Sequence, residues 1–259
     1  MEALTSLGLS LLPAVLLVSL RVGVALASFP APFSDGAPTQ VRAALGLLVA
    51  LAVTVSRAPT LPAIELETLA LMRGALGEVA VGLVIGLTVR AALAAVETAG
   101  SLAGTAMGLS FATSIDPLRG EEVLPTTRLL GALGALVFFS IQGHHAVFAA
   151  LAATLDVAPP GAALPAIAQA GVLGVGTDIV AHGLRIAAPV LAAMFIVQLG
   201  AALVARSAPR VQVFSLTFAL ASSVGMLALS AAGPTILSSI GETMAGLPGE
   251  LATALGGRP

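Results

Sequence analysis

From Gly74 to Gly108 the chain runs for 35 residues with only three ionisable side chains, Glu78, Arg90 and Glu97, in an otherwise apolar, glycine-studded stretch. A helix of that length, at about 1.5 Å rise per residue, reaches roughly 52 Å, whereas the hydrocarbon core of a bilayer is about 30 Å thick. The segment cannot be an ordinary single span. At about 100° per residue and with Arg90 as origin, Gly82, Gly86, Glu97, Gly100, Gly104 and Gly108 fall within an arc of about 80°. One face is therefore small and charged. The remainder, including Val79, Val84, Ile85, Leu87, Ala92 and Ala95, suits lipid or packed neighbours.

Composition sets the solvent. Of 259 residues 58% are hydrophobic and 9% charged, with a mean hydropathy of +1.05, whereas soluble domains are about a quarter charged. The chain reads as a single helical membrane domain over 1–259. A net charge of -2 offers no basic field for nucleic acid. Absence of cysteine excludes disulfides, thiolate metal sites and cysteine nucleophiles. With neither Trp nor Tyr there is no such aromatic belt, so span edges are read from Arg, Pro and acidic residues. No basic region follows Met1 and Glu2, and Pro13 interrupts the first apolar run, so a cleaved signal peptide is not expected.

Apolar runs at about Leu7 to Ser28, Val41 to Val55, Leu69 to Gly108, Thr127 to Leu155, Ala163 to Val204 and Val213 to Ala232 all read as helices, followed by an amphipathic tail from Ile236 to Leu255. Phe29 to Gln40, with Pro30, Pro32, Asp35, Gly36 and Pro38, is turn chemistry and makes the first two runs a helical hairpin. Ala58 to Pro62 and Asp156 to Gly161 supply further breaks. Leu109 to Pro125 differs in kind, because it begins with Leu109, Phe111 and Ile115 and turns charged at Asp116, Arg119, Glu121 and Glu122. Pro189 takes a hydrogen bond from the carbonyl of Arg185, so a kink is expected beside Asp178, His182 and Arg185, which share a face. Counting arginines near the breaks, an N-out arrangement puts Arg42, Arg119, Arg128, Arg206 and Arg210 inside and Arg57, Arg73 and Arg258 outside.

Candidate chemistry is sparse. Arg90 and Glu97 lie seven residues and roughly 10 Å apart along a helix, too far to pair directly, so each calls for a partner on another element. Charges at membrane depth mark either an ion or proton pathway or a salt bridge between helices or subunits. The second reading is preferred, because small residues at four-residue spacing are the signature of close helix packing. His144 and His145 are adjacent and point about 100° apart, which does not make a chelating pair. Asp178 with His182 has better spacing but lacks further ligands, so no metal and no cofactor are expected. Ser110, in Gly108-Leu109-Ser110-Phe111-Ala112, lacks the second glycine of a nucleophile elbow. Without lysine there is no phosphate-binding loop ending in Lys-Ser or Lys-Thr. An enzyme is not expected, and the rival from another class is a small-solute or ion transporter using Glu78, Arg90 and Glu97.

An ordered series of motifs then becomes specific. Leu20-Arg21-Val22, Phe29-Pro30-Ala31-Pro32-Phe33-Ser34, Pro38 and Val41-Arg42 are followed by Gly77-Glu78-Val79, Gly82, Ile85-Gly86, Ala99-Gly100, Gly104, Met107-Gly108-Leu109-Ser110-Phe111-Ala112 and Asp116-Pro117. Gly143-His144-His145, Ala208-Pro209, Gln212, Phe214 and Val224-Gly225 complete it. The series resembles the FliR family of flagellar type III secretion export-gate proteins, SctT-like in virulence systems, over nearly the whole chain. That resemblance implies an all-α fold of kinked, membrane-associated helical hairpins, with an approximate FliP-like part over 1–160 and a FliQ-like part over 161–259. It implies a hetero-oligomeric complex with FliP and FliQ, association with FlhB and the wider export apparatus, and unfolded protein in transit. The setting it implies is the bacterial inner membrane at the flagellar basal body, with helices partly raised above the membrane plane. Met107, Gly108, Phe111, Ile115, Asp116 and Pro117 would belong to a loop that plugs the channel. Glu78, Gly82, Gly86, Arg90, Glu97, Gly100 and Gly104 would serve helix packing and assembly.

Overall fold

The computed structural model describes residues 2–30, 38–61, 64, 67–110, 123–161, 175–207 and 213–254. Among them the regular elements are helices: α1 (Glu2–Leu26), α2 (Thr39–Arg57), a 3-10 turn (Ala58–Thr60), α3 (Thr68–Ala106), α4 (Pro125–Ser140), α5 (Gly143–Val157), α6 (Val175–Ser207), α7 (Val213–Ala231), α8 (Gly233–Ala245) and α9 (Leu247–Ala254). The all-α expectation holds. Among the described residues three segments are long and apolar enough to cross a membrane, namely α2, α3 and Ile179–Ser207 within α6. Two further pairs, α4 with α5 and α7 with α8 and α9, pass that test only when taken together across a bend, giving up to five spans.

Helix boundaries depart from the apolar runs at instructive places. Pro13 does not interrupt α1, which passes through it; a helix loses one hydrogen bond there, and apolar helices tolerate this where neighbours re-satisfy the freed group. α6 likewise continues through Pro189. By contrast, the apolar run from Thr127 to Leu155 is two helices rather than one. Gln142 adopts φ 59°, a left-handed conformation that costs a side-chain-bearing residue roughly 1–2 kcal/mol. The Ile141 N–H donates to the Val137 carbonyl to close α4, and α5 restarts at Gly143.

The chain forms two compact units, neither continuous in sequence. The first comprises Met1–Ala91, Gln142–Gly176 and Ala245–Pro259; the second comprises Ala92–Ile141 and Thr177–Met244. In the first, α1 packs along α2, α2 touches α5, and α9 closes on α5. Val18, Val22, Ile85, Val89, Val147, Leu151 and Leu251 are buried there. In the second, Val96, Ala103, Met107, Leu130, Phe138, Val190, Met194 and Ile240 are buried. α3 supplies its first part to one unit and its last part to the other as one uninterrupted helix of 39 residues.

Candidate functional site

Glu78 sits one turn above Gly74 on α3, buried to 1% exposure, and needs a cation because a lone carboxylate in an apolar core is far too costly. Arg21 of α1, also 1% exposed, provides it. The guanidinium grips the carboxylate in two-pronged fashion, Nε donating to Oε2 at 2.8 Å and Nη2 to Oε1 at 3.2 Å. Its remaining donors reach α5 and the turn after it: Nη1 gives to Thr154 Oγ1 at 2.7 Å and Nη2 to the Ala158 carbonyl at 2.8 Å. The Thr154 hydroxyl donates onward to the Leu151 carbonyl at 2.6 Å. Gly161 N–H donates to Glu78 Oε1 at 3.3 Å. Four of the five guanidinium protons are thereby placed, and a planar fork suits this task better than an ammonium. The node ties α1, α3 and the end of α5 together within the first unit.

Glycines let the backbones come close enough for that grip. A Cβ on Gly82 would collide with the Arg21 carbonyl oxygen and lie 3.1 Å from the Arg21 Cα and carbonyl carbon. One turn later, a Cβ on Gly86 would lie 2.7 Å from Ser28 Oγ and 3.3 Å from the Val24 carbonyl oxygen. Contacts that advance together along both helices mean that α1 and α3 run in the same direction. On the far side, a Cβ on Gly74 would lie 2.8 Å from Gly161 Cα, whose φ of +85° is glycine territory.

In the second unit the same helix meets α4 and α6. A Cβ on Gly100 would lie 2.6 Å from Thr127 Cα and 2.7 Å from the Thr126 carbonyl oxygen, and one on Gly104 would strike Thr126 Oγ1. Val96 lies against Gly134, and Glu97 Cγ would be 3.5 Å from a Cβ on Gly131. Numbers falling on α4 while they rise on α3 make this pair antiparallel. Gly183 of α6 leaves room for the Ala95 carbonyl and Thr98. Glu97 is half-buried and Arg90 exposed. So Gly82 and Gly86 face one neighbour, Gly100 and Gly104 another, and Arg90 stands between the two sets.

α3 ends on Gly108, at φ 80°. The Gly108 N–H donates to the Thr105 carbonyl and the Leu109 N–H to the Gly104 carbonyl, both at 3.0 Å, the paired bonds of a Schellman cap. Met107 is fully buried, and a Cβ on Gly225 of α7 would collide with its side chain. Phe111, Ile115, Asp116 and Pro117 lie outside the described residues. Elsewhere Arg57 pairs with Asp156 at a partly exposed site, and Arg185, expected beside Asp178 and His182, pairs with Glu242 of α8 at 3.0 Å at an exposed one. No cluster of three metal-ligating side chains occurs among the described residues.

A sequence profile of bacterial export proteins, family 1, matches residues 12–247. The chain belongs to this family. Among its relatives is flagellar biosynthetic protein FliR of Escherichia coli (strain K12), 30% identical over 220 residues, which are 84% of this chain and 83% of the relative. FliR of Caulobacter vibrioides is 30% identical over 222 residues, 84% of this chain and 88% of the relative. Yop proteins translocation protein T of Yersinia pestis is 29% identical over 188 residues, 71% and 72% of the two chains.

The profile match spans both halves of the Arg21–Glu78 node and all the glycines of α3 in this bacterial export protein. Sequence reasoning singled out Glu78 but left its partner unnamed. Arg21 was visible as a charge within the first apolar run, and a sequence separation of 57 exceeds what any helical spacing rule reaches. Gly225 and Gly161 were likewise missed as packing positions, since their neighbours come from other helices.

Proposed function

We propose that this chain is a structural and gating component of a type III protein export gate, forming part of the channel through which unfolded flagellar subunits cross the envelope. The observation that carries the reading is the family match over residues 12–247, with FliR and a Yop translocation protein among the relatives. The long apolar helices support a multi-pass membrane protein of the export apparatus. In this reading the chain works in the inner membrane at the flagellar basal body, with FliP and FliQ in one complex and FlhB beside it. It is non-enzymatic, because its work is to hold and open a passage. The FliP-like part is assigned to 1–160 and the FliQ-like part to 161–259, a division by likeness rather than by the two compact units.

Within that complex Met107 to Glu122 is assigned to the plug. Support comes from its anchored start: Met107 is held under Gly225, and a Schellman cap at Gly108 closes α3. A solute or ion transporter built on Glu78, Arg90 and Glu97 is not supported, since Glu78 is held by Arg21 and Gly161 away from solvent. The test is a deletion of the gene in its own host, with a tagged copy restored. The deletion is expected to abolish secretion of flagellar subunits into the medium, and the tagged chain to co-purify with small helical partners. Normal secretion without the gene, or a lone chain that drives solute uptake in liposomes, overturns the reading.

A further inference from the structure

α2 carries an arginine near each end, and the two are treated differently. Arg57, in its last turn, is answered by Asp156. Arg42, in its first turns, is half-buried, and its guanidinium makes no ion pair or hydrogen bond with a described residue. No acidic residue stands in that first turn, and the N-cap is Pro38, with no side-chain cap. Arg42 lines an open cleft of about 250 Å³ between the end of α1 and the start of α2, with Gly23, Leu26, Ala27, Thr39 and Ala43 as other walls. Apart from Thr39 and Arg42 the walls are apolar.

The cleft is smaller than the roughly 300–1,000 Å³ of sites that enclose a small molecule, so its occupant is part of something larger. It lies on a helix apolar enough to cross a membrane and largely unburied by this chain. Single-tailed apolar filling with one cation at the rim is the complement of a lipid that carries a negative headgroup. We propose that the cleft seats one acyl chain of an anionic phospholipid, with its phosphate on Arg42. Gly23 supports this, because a Cβ added there meets nothing within 4 Å and the position lies open at the cleft.

The test is native mass spectrometry of the full chain, in the complex with which it purifies, titrated with phosphatidylglycerol and phosphatidylcholine of identical acyl chains. Phosphatidylglycerol is expected to be retained about fivefold better, the preference one interfacial cation confers. Arg42→Gln should abolish the preference, and Arg57→Gln, removing a cation already paired, should leave it. Gly23→Leu and Ala43→Leu, which fill the cleft, should each reduce retention of both lipids. An unchanged preference in Arg42→Gln, an equal loss in Arg57→Gln, or full retention in both filled variants overturns the proposal. So does competition by glycerol 3-phosphate as effective as that of the lipid, which would mean an anion site without an acyl chain.

Discussion

At the scale of single residues, the decisive question is what a buried charge costs when its partner is removed. Arg21 and Glu78 are each 1% exposed and share a two-pronged contact, so losing either leaves the other uncompensated. Arg21→Met is expected to destabilise the protein by about 3–5 kcal/mol, and Glu78→Met by a similar amount. The double variant should be less harmful than the sum of the two, because two apolar side chains replace an ion pair without stranding a charge. Thermal unfolding of the detergent-solubilised protein measures all three, and strict additivity would deny the pairing. How legible was this from the sequence? Glu78 announced a need for a partner by its apolar surroundings, and it falls about 120° from Arg90 by helical count, off the glycine arc. Arg21 had the complementary chemistry. What joined them was tertiary packing of α1 on α3, which neither spacing nor composition encodes.

At the scale of elements, α3 was legible in existence and length because one period continues across it without a helix breaker. The stripe on it was legible too, but not its division of labour: glycines sharing a face were indistinguishable until α1 was seen at Gly82 and Gly86 and α4 at Gly100 and Gly104. The close contacts make a sharp contrast among glycines. Gly82→Ala should cost about 1–3 kcal/mol, because the new methyl meets backbone of α1 that cannot swing aside. Gly241→Ala on α8, where a Cβ meets nothing within 4 Å, should be neutral or stabilising by up to about 1 kcal/mol. Parallel melting curves decide it, and equal effects would deny the packing role. Gly108→Ala should cost roughly 1–2 kcal/mol through its left-handed φ alone. The break at Gln142 was the least legible boundary. It falls in Ser140-Ile141-Gln142-Gly143-His144-His145, which holds no proline, and glutamine is not a residue expected at positive φ.

At the scale of the whole molecule, six apolar runs and a tail read as helices, whereas among the described residues three helices are long and apolar enough to cross a membrane alone and two bent pairs raise the number to five. The reason is that apolarity reports burial in either lipid or protein, and 67% of the qualifying stretch of α3 is buried inside the chain itself. For the assembled gate, shortening the stretch between Leu109 and Asp116 should leave the complex intact but make the membrane leaky to ions or small solutes. A conductance or dye-release assay with reconstituted complex would show this, and a tight membrane would remove the plug assignment.

α9 closes on α5 in the first unit, although that unit begins with α1. During synthesis, then, α1 is made well before the α9 that belongs to the same unit. The second unit, bounded by Ala92 and Met244, has all its elements before α9 is made. Among the described helices the order along the chain is therefore not the order in which the two units gain their last element, and a product lacking α9 would hold every described element of the second unit but not of the first.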